Sequence, residues 1–280
     1  MVNQYMGVNR MGLDLEETSI IIKDFIKTYA ENSKCNGVVI GLSGGVDSAL
    51  MAVLCKQVLG KENTRCIFLP DESTPKKDTE HCELIAKKFD LQYETKNITG
   101  LVKESTKYCV IKPDKYALAN IKARLRMTLL FEYANMTKSL VCGTSNKSEL
   151  LVGYFTKYGD GGVDIMPLGD LYKTQIWELS RYLKLPSELV DKPPSAGLWE
   201  GQSDEAELKL SYVKLDKILI GLEKKKDFDD IVTYADVSKS DVERIKKMRI
   251  NSQHKRRSAL IPKIGIRTPG LDWRSPIQEG

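Results

Sequence analysis

One run, Val38-Val39-Ile40-Gly41-Leu42-Ser43-Gly44-Gly45-Val46-Asp47-Ser48-Ala49, constrains this chain more than any other. Its β-branched start reads as a buried strand. Val46, Ala49, Leu50, Val53 and Leu54 then read as an apolar helix that begins directly after a Ser-Gly-Gly turn. That order aims unpaired backbone N–H groups, and the positive end of a helix, at the space above the turn. Gly44 and Gly45 tolerate positive φ and let a bulky anion approach the backbone. Ser43 and Ser48 add hydroxyls, and Asp47 places a carboxylate beside the same anion. The two negative groups repel unless a cation such as Mg²⁺ lies between them. The loop therefore reads as a site for Mg²⁺ and polyphosphate. The plain alternative is a Gly-rich turn with no ligand, because short motifs recur by chance.

The flanking pattern predicts the fold. Asp14 to about Tyr29 is amphipathic at helical spacing, and the helix after the loop stops near Leu59 at Gly60. Thr64–Leu69 reads as a second strand, Thr74-Pro75 opens a helix to Phe89, and a weak strand follows near Leu91–Thr95. Past Lys112-Pro113-Asp114, a long helix is expected from about Tyr116 to Ala134, then a strand at Ser139–Cys142. This alternation predicts an α/β fold, a doubly wound parallel sheet flanked by helices. Ligands in such sheets lie beyond the strand C-termini, so the loops after Ile40, Leu69 and Cys142 should share one site.

Beyond Gly153 the pattern loosens. Tyr158-Gly159-Asp160-Gly161-Gly162 reads as a binding loop, with a helix near Tyr172–Leu183 and an irregular stretch from Asp191 to about Asp204. Glu205–Ile250 reads as short helices, and the tail from Asn251 is basic, then punctuated by Pro and Gly. The expectation is one domain over 1–280, with an α/β core at about 14–190 and a helical part with its tail at about 191–280.

Composition narrows partners and compartment. A net charge of +5 suits a small anionic substrate and is too weak to indicate a nucleic-acid polymer. Cys35, Cys55, Cys66, Cys82, Cys109 and Cys142 form no C-x-x-C pair, and with two histidines a structural zinc site is not expected. Buried reduced thiols point to a cytoplasmic protein. No apolar run approaches the ~20 residues that span a bilayer, and no secretory signal is read at the N-terminus.

No Gly-Lys-Ser/Thr closes the loop, so it is not a Walker A motif. Ser43-Gly44-Gly45-Val46-Asp47-Ser48 instead resembles the pyrophosphate loop of the N-type ATP pyrophosphatases, of adenine nucleotide alpha hydrolase-like fold. Further segments follow in order: Ala123-Arg124-Leu125-Arg126-Met127, Gly143-Thr144-Ser145-Asn146-Lys147-Ser148-Glu149, and Gly153-Tyr154-Phe155-Thr156-Lys157-Tyr158-Gly159-Asp160-Gly161. Lys192-Pro193-Pro194-Ser195-Ala196-Gly197-Leu198-Trp199, Gly201-Gln202-Ser203-Asp204-Glu205 and His254-Lys255-Arg256-Arg257 complete the series. Together they resemble the NAD⁺ synthetase family from about Val38 to Arg257.

The resemblance implies a two-step ligase reaction. ATP adenylates the nicotinate carboxylate of deamido-NAD⁺ and pyrophosphate leaves; ammonia then displaces AMP. It places ATP on Gly41, Leu42, Ser43, Gly44, Gly45, Val46, Asp47 and Ser48, with Thr144, Lys173 and Ser195, and Mg²⁺ on Asp47 and Glu149. Lys173 would stabilise the departing pyrophosphate. Deamido-NAD⁺ falls to Arg124, Lys157, Asp164, His254 and Lys255, and Asp160 is a candidate for handling ammonium. The family also implies a homodimer; from charge and hydropathy, no nucleic-acid partner and no membrane are expected. Glutamine-using members carry an extra amidase domain for which 280 residues leave no room, so ammonia is the expected nitrogen donor.

Plainer readings stand beside several of these residues. Glu149 is otherwise a solvated helix-start glutamate, Thr144 an N-cap, Lys173 an exposed helix lysine, and Arg124 an i,i+4 surface partner. The His254-Lys255 cluster is otherwise a solvated charge run. Rival functions are another adenylating pyrophosphatase-loop enzyme, GMP synthetase-like or tRNA-thiolating, and a nucleotide-binding module without catalysis.

Overall fold

The computed structural model describes residues 13–199, 201–269 and 272. Both ends of the expected 1–280 domain, and Glu200 in the irregular stretch, lie outside the described residues. The chain runs α1 (Leu15–Asn32), β1 (Gly37–Leu42), α2 (Val46–Leu59), β2 (Thr64–Phe68), α3 (Lys76–Lys88) and β3 (Gln92–Thr95). It continues through α4 (Thr99–Lys107), α5 (Lys115–Thr137), β4 (Ser139–Val141), α6 (Lys147–Val152) and α7 (Lys173–Tyr182). Side-chain caps fix helix starts: the Asp14 carboxylate accepts from the Glu17 N–H at 2.9 Å, and Asp114 from Ala117 at 2.7 Å.

The four strands form one parallel sheet in the order β3-β2-β1-β4. Alternation of side chains splits β1 between two cores. Val38, Ile40 and Leu42 pack with α1, α2, α3 and α7 on one face. Val39 packs with Ile67 and Val141 on the other, beneath Val102 of α4 and Ala134 of α5. With both faces covered, the doubly wound expectation holds. From β1 the chain steps outward to β2 and β3, then returns to the opposite side of β1 as β4. The C-terminal edge between β1 and β4 is thus the switch point, where such sheets open a crevice.

The remainder is helical: α8 (Ser187–Val190), α9 (Asp204–Leu208), α10 (Tyr212–Glu223), α11 (Phe228–Ala235) and α12 (Lys239–Asn251), then a 3₁₀ turn at Gln253–Lys255. Leu215, Ile218, Leu219, Ile231, Val242 and Ile245 build its core, which reaches Val152 of α6 and Tyr172 at the start of α7. The helical part is therefore packed against the two helices that border the crevice. Two helices, α4 and α8, are absent from the sequence reading. In α4 only Val102 is buried, leaving almost no apolar stripe to detect. In α8 four residues are too few to show a period.

Cys55, Cys66, Cys82 and Cys142 are buried, and burial pushes the Cys66 and Cys82 thiols up to about 12, which keeps them unreactive. No described helix is long and apolar enough to cross a membrane.

Candidate active site

A cavity of about 450 Å³ opens at the C-terminal edge of β1, β2 and β4. Its walls include Gly41–Ser43, Gly45–Ser48, Thr144, Glu149, Lys173 and Ser195, so the loops after β1 and β4 and the 193–199 segment face one space. Gly44 has φ +74°, and a Cβ there would lie 2.6 Å from the Asp78 carbonyl oxygen. Gly45, by contrast, has an ordinary φ of −98°. Only the first of the two glycines is needed for conformation; the second leaves the backbone bare toward the cavity. Ser48 is buried behind the loop. Its hydroxyl donates to the Gly45 carbonyl at 3.0 Å and accepts from the Ser43 N–H at 3.2 Å, so it braces the turn. The first-turn N–H groups of α2 have no acceptor within their own helix and remain for a ligand.

Across the crevice, Asn146 builds the second half of the site. Its carboxamide oxygen accepts from the Glu149 N–H at 3.0 Å, and the Glu149 carboxylate accepts from the Asn146 N–H at 3.3 Å. This reciprocal capping box starts α6 and fixes Glu149 at its first turn. The Asn146 amide also donates to Asp47 Oδ1 at 2.9 Å. One buried asparagine therefore sets two carboxylates, one from each side of the switch point. Between them stands Lys173, buried, with its ammonium paired to Asp47 Oδ2 and lying 3.4 Å from Glu149 Oε1.

The electrostatics of this trio are unbalanced. Burial opposes the charge on Lys173, yet Asp47 and Glu149 hold its ammonium above the usual lysine range. Burial pushes the Glu149 carboxyl up to about 8 against the pull of Lys173, with Asp47 adding to the rise. One ammonium does not satisfy two carboxylates removed from water.

Lys173 is held from behind by a residue to which the sequence reading gave no role. Its backbone N–H donates to Ser148 Oγ at 2.9 Å, and Ser148 donates to Asp216 Oδ1 at 2.5 Å. Asp216 Oδ2 accepts from the Thr174 N–H at 2.9 Å and from the Thr174 hydroxyl at 2.8 Å. A buried carboxylate on α10 thus caps the start of α7, where helix-terminal N–H groups favour negative charge. Asp216 carried a signal: it lies among Tyr212, Leu215, Ile218 and Leu219, on an otherwise apolar face. Asn146 carried one too, as Asn-x-x-Glu before a helix.

The second group of expected residues is only partly gathered. Lys255 reaches the cavity and donates to the Gly153 and Phe155 carbonyls at 2.7 and 2.8 Å. Asp160 also lines it and accepts from the Thr156 N–H at 2.9 Å. Arg124 is exposed on α5 and donates to the Lys157 carbonyl at 3.2 Å, while the Lys157 ammonium lies over the Tyr158 ring at 5.0 Å. These two are neighbours but do not line the cavity. Nor does Asp164, one oxygen of which accepts from the Val141 N–H at 2.7 Å and so caps β4. His254 is exposed on the 3₁₀ turn, away from the cavity wall.

The chain is similar to known proteins in sequence and in fold. A family model described as NAD synthase matches residues 19–259. The NH₃-dependent NAD⁺ synthetase of Methanosarcina acetivorans is 40% identical over 258 residues, covering 90% of this chain and 100% of that protein. Among solved structures, the NMN synthetase of Francisella tularensis superposes with a TM-score of 0.80 at 34% identity, over 90% of this chain and 100% of that one. The NH₃-dependent NAD synthetase of Campylobacter jejuni, solved with a nitrate ion, gives 0.77 at 33% identity with the same coverages.

Proposed function

Because this chain belongs to the NAD synthase family, we propose that its cavity amidates deamido-NAD⁺ to NAD⁺, using ATP and ammonia. The observation that carries this reading is the Asp47–Lys173–Glu149 trio facing the free N–H groups of α2 across the switch point. A nicotinate carboxylate is a poor electrophile. Attack by its oxygen on the α-phosphorus of ATP breaks the bond to the β-phosphate oxygen, releases pyrophosphate and leaves an acyl-adenylate. Ammonia then attacks the acyl carbon, AMP departs with the activating oxygen, and one proton is lost to give the amide.

The chain's own groups divide this work. The N–H groups at the start of α2 and the Lys173 ammonium stabilise charge building on the departing pyrophosphate. Thr144 and Ser195 offer hydroxyls along the same wall, and Gly41–Ser48 form its floor. Asp47 and Glu149 suit Mg²⁺: both are hard oxygen donors, and two buried carboxylates share the single ammonium of Lys173, a site short of positive charge. When bound, that ion would neutralise phosphate charge. Asp160, held at the cavity by the Thr156 N–H, is the carboxylate assigned to the incoming ammonium in this reading. Arg124, Lys157, Asp164, His254 and Lys255 are proposed for deamido-NAD⁺, the exposed members serving the part of a dinucleotide that extends past the cavity.

The reading also includes one synthetase domain over the chain, a cytoplasmic location where the buried thiols stay reduced, and a homodimer, which sedimentation would register as twice the chain mass. The test is to incubate the protein with ATP, Mg²⁺, ammonium chloride and deamido-NAD⁺, and to follow NAD⁺, AMP and pyrophosphate. Equal amounts of the three products are expected. ATP binding without pyrophosphate release would point to a non-catalytic module. The nicotinate mononucleotide belongs in the same assay because of the Francisella likeness; preference for it would reassign the substrate.

A further inference from the structure

One buried cationic cluster beside the cavity has no part in the chemistry above. Lys122, on the inward face of α5, donates to Asp71 Oδ1 at 3.2 Å, Ser73 Oγ at 2.6 Å and the Leu198 carbonyl at 3.1 Å. Its ammonium is therefore saturated by three acceptors. The other oxygen of Asp71 accepts from Arg126 at 3.1 Å, and Arg126 also donates to the Leu69 carbonyl at 2.8 Å. Two cations thus share one carboxylate whose side chain is 1% exposed, leaving an excess positive charge at the cavity wall. Only one of the two, Arg126, lines the cavity; Lys122 does not.

The Leu198 carbonyl explains the arrangement. It ends a strap that begins at Lys192, whose ammonium donates to Asp78 Oδ1 at 2.5 Å and to the Gly44 carbonyl at 3.3 Å. One pin holds the strap to the phosphate loop and the other to α5. Pro193–Gly197, including Ser195, span the interval and line the cavity. Beyond the second pin, Trp199 is gripped by α5 again: Lys115 lies over its ring at 4.2 Å and Tyr116 meets it edge-on at 5.8 Å.

We propose that Lys122 is a positioning residue for ATP: by holding the Leu198 carbonyl it sets where the strap, and with it Ser195, stands over the phosphate loop. Lys122 touches no substrate in this role. The proposal rests on the reading of the cavity as an ATP site, and its test has an arm independent of that reading.

The first arm is limited chymotrypsin digestion of the ligand-free full chain, scored for cleavage after Trp199. Lys122→Met should accelerate that cut about tenfold, the scale of one lost hydrogen bond to a charged group. The second arm is kinetic: KM for ATP should rise about tenfold in Lys122→Met, while kcat and KM for deamido-NAD⁺ move by less than about threefold. Should Lys122→Met fail to fold, Ser73→Ala removes a hydroxyl that accepts from Lys122 at 2.6 Å, donates to Asp71 at 2.6 Å and lies 3.3 Å from the Leu198 carbonyl oxygen. It loosens the Lys122 pin without removing a charge and should show both effects at about threefold. Unchanged cleavage and unchanged KM for ATP overturn the proposal. So does a parallel loss in both KM values and kcat with a lowered melting temperature, which would make Lys122 merely structural. Faster cleavage in a protein whose wild type makes no NAD⁺ would sustain the pinning and overturn the reading of the cavity.

Discussion

The Asn146 side-chain amide donates to Asp47 Oδ1 at 2.9 Å, joining residues 99 positions apart across the β1–β4 switch point. The same side chain caps the helix that carries Glu149, so both carboxylates take their places from one buried amide. Asn146→Ala should therefore damage both halves of the site. Loss of the cap costs about 1 kcal/mol of stability, and kcat/KM for ATP should fall by about tenfold or more. Pyrophosphate release and urea unfolding, measured on the same preparation, check the two parts.

Asp47→Asn keeps the shape of the side chain and removes its charge. Adenylation should slow by at least about a hundredfold, with the circular dichroism spectrum unchanged. Unaltered turnover at saturating Mg²⁺ would remove Asp47 from the metal and phosphate chemistry.

Lys173→Met leaves Asp47 and Glu149 facing each other without an ammonium. Stability should drop by about 3 kcal/mol, the scale for orphaning a buried charge. Mg²⁺ alone should then raise the melting temperature of the variant more than that of wild type, because the ion replaces the missing charge. A variant indifferent to Mg²⁺ would contradict the pairing of Asp47 with Glu149 as a cation site.

Asp216 gives a pH signature. Burial pushes its carboxyl up to about 6, above the ordinary carboxylate range. Between about pH 4 and 6 the folded state holds a proton that the unfolded state has lost, so this group's contribution to stability falls as pH rises through that window and is flat above it. The difference in unfolding free energy between wild type and Asp216→Asn should decline over the same interval. A difference that climbs or stays level there would show that Asp216 is ionised throughout.

Lys157→Ala should raise KM for deamido-NAD⁺ by about tenfold and leave KM for ATP nearly unchanged, since the Arg124–Lys157 pair, outside the cavity wall, serves one anion and not the other. The reverse pattern would move Lys157 to the nucleotide.

Much of this site was legible because its signals are local. The strand, Ser-Gly-Gly turn and helix at 38–54 announce themselves through β-branching, glycine and apolar spacing within one short window. Long-range facts were not legible. Nothing near Lys173 in sequence says that it is buried, because its partners come from α2 and α6 and its support from α10. The same holds for Lys122, whose acceptors come from the loop after β2 and from the 193–199 strap. The resemblance that placed Asp164 beside a ligand could not show that a sheet edge would claim one of its oxygens.

The central claim is that this cavity activates a carboxylate by joining it to AMP. Deamido-NAD⁺ labelled with ¹⁸O in the nicotinate carboxylate tests it directly, with mass spectrometry of the products after turnover with ATP and ammonia. One ¹⁸O should appear in the phosphate of AMP for each NAD⁺ formed, and none in pyrophosphate. Unlabelled AMP, or label in the pyrophosphate, would contradict the account.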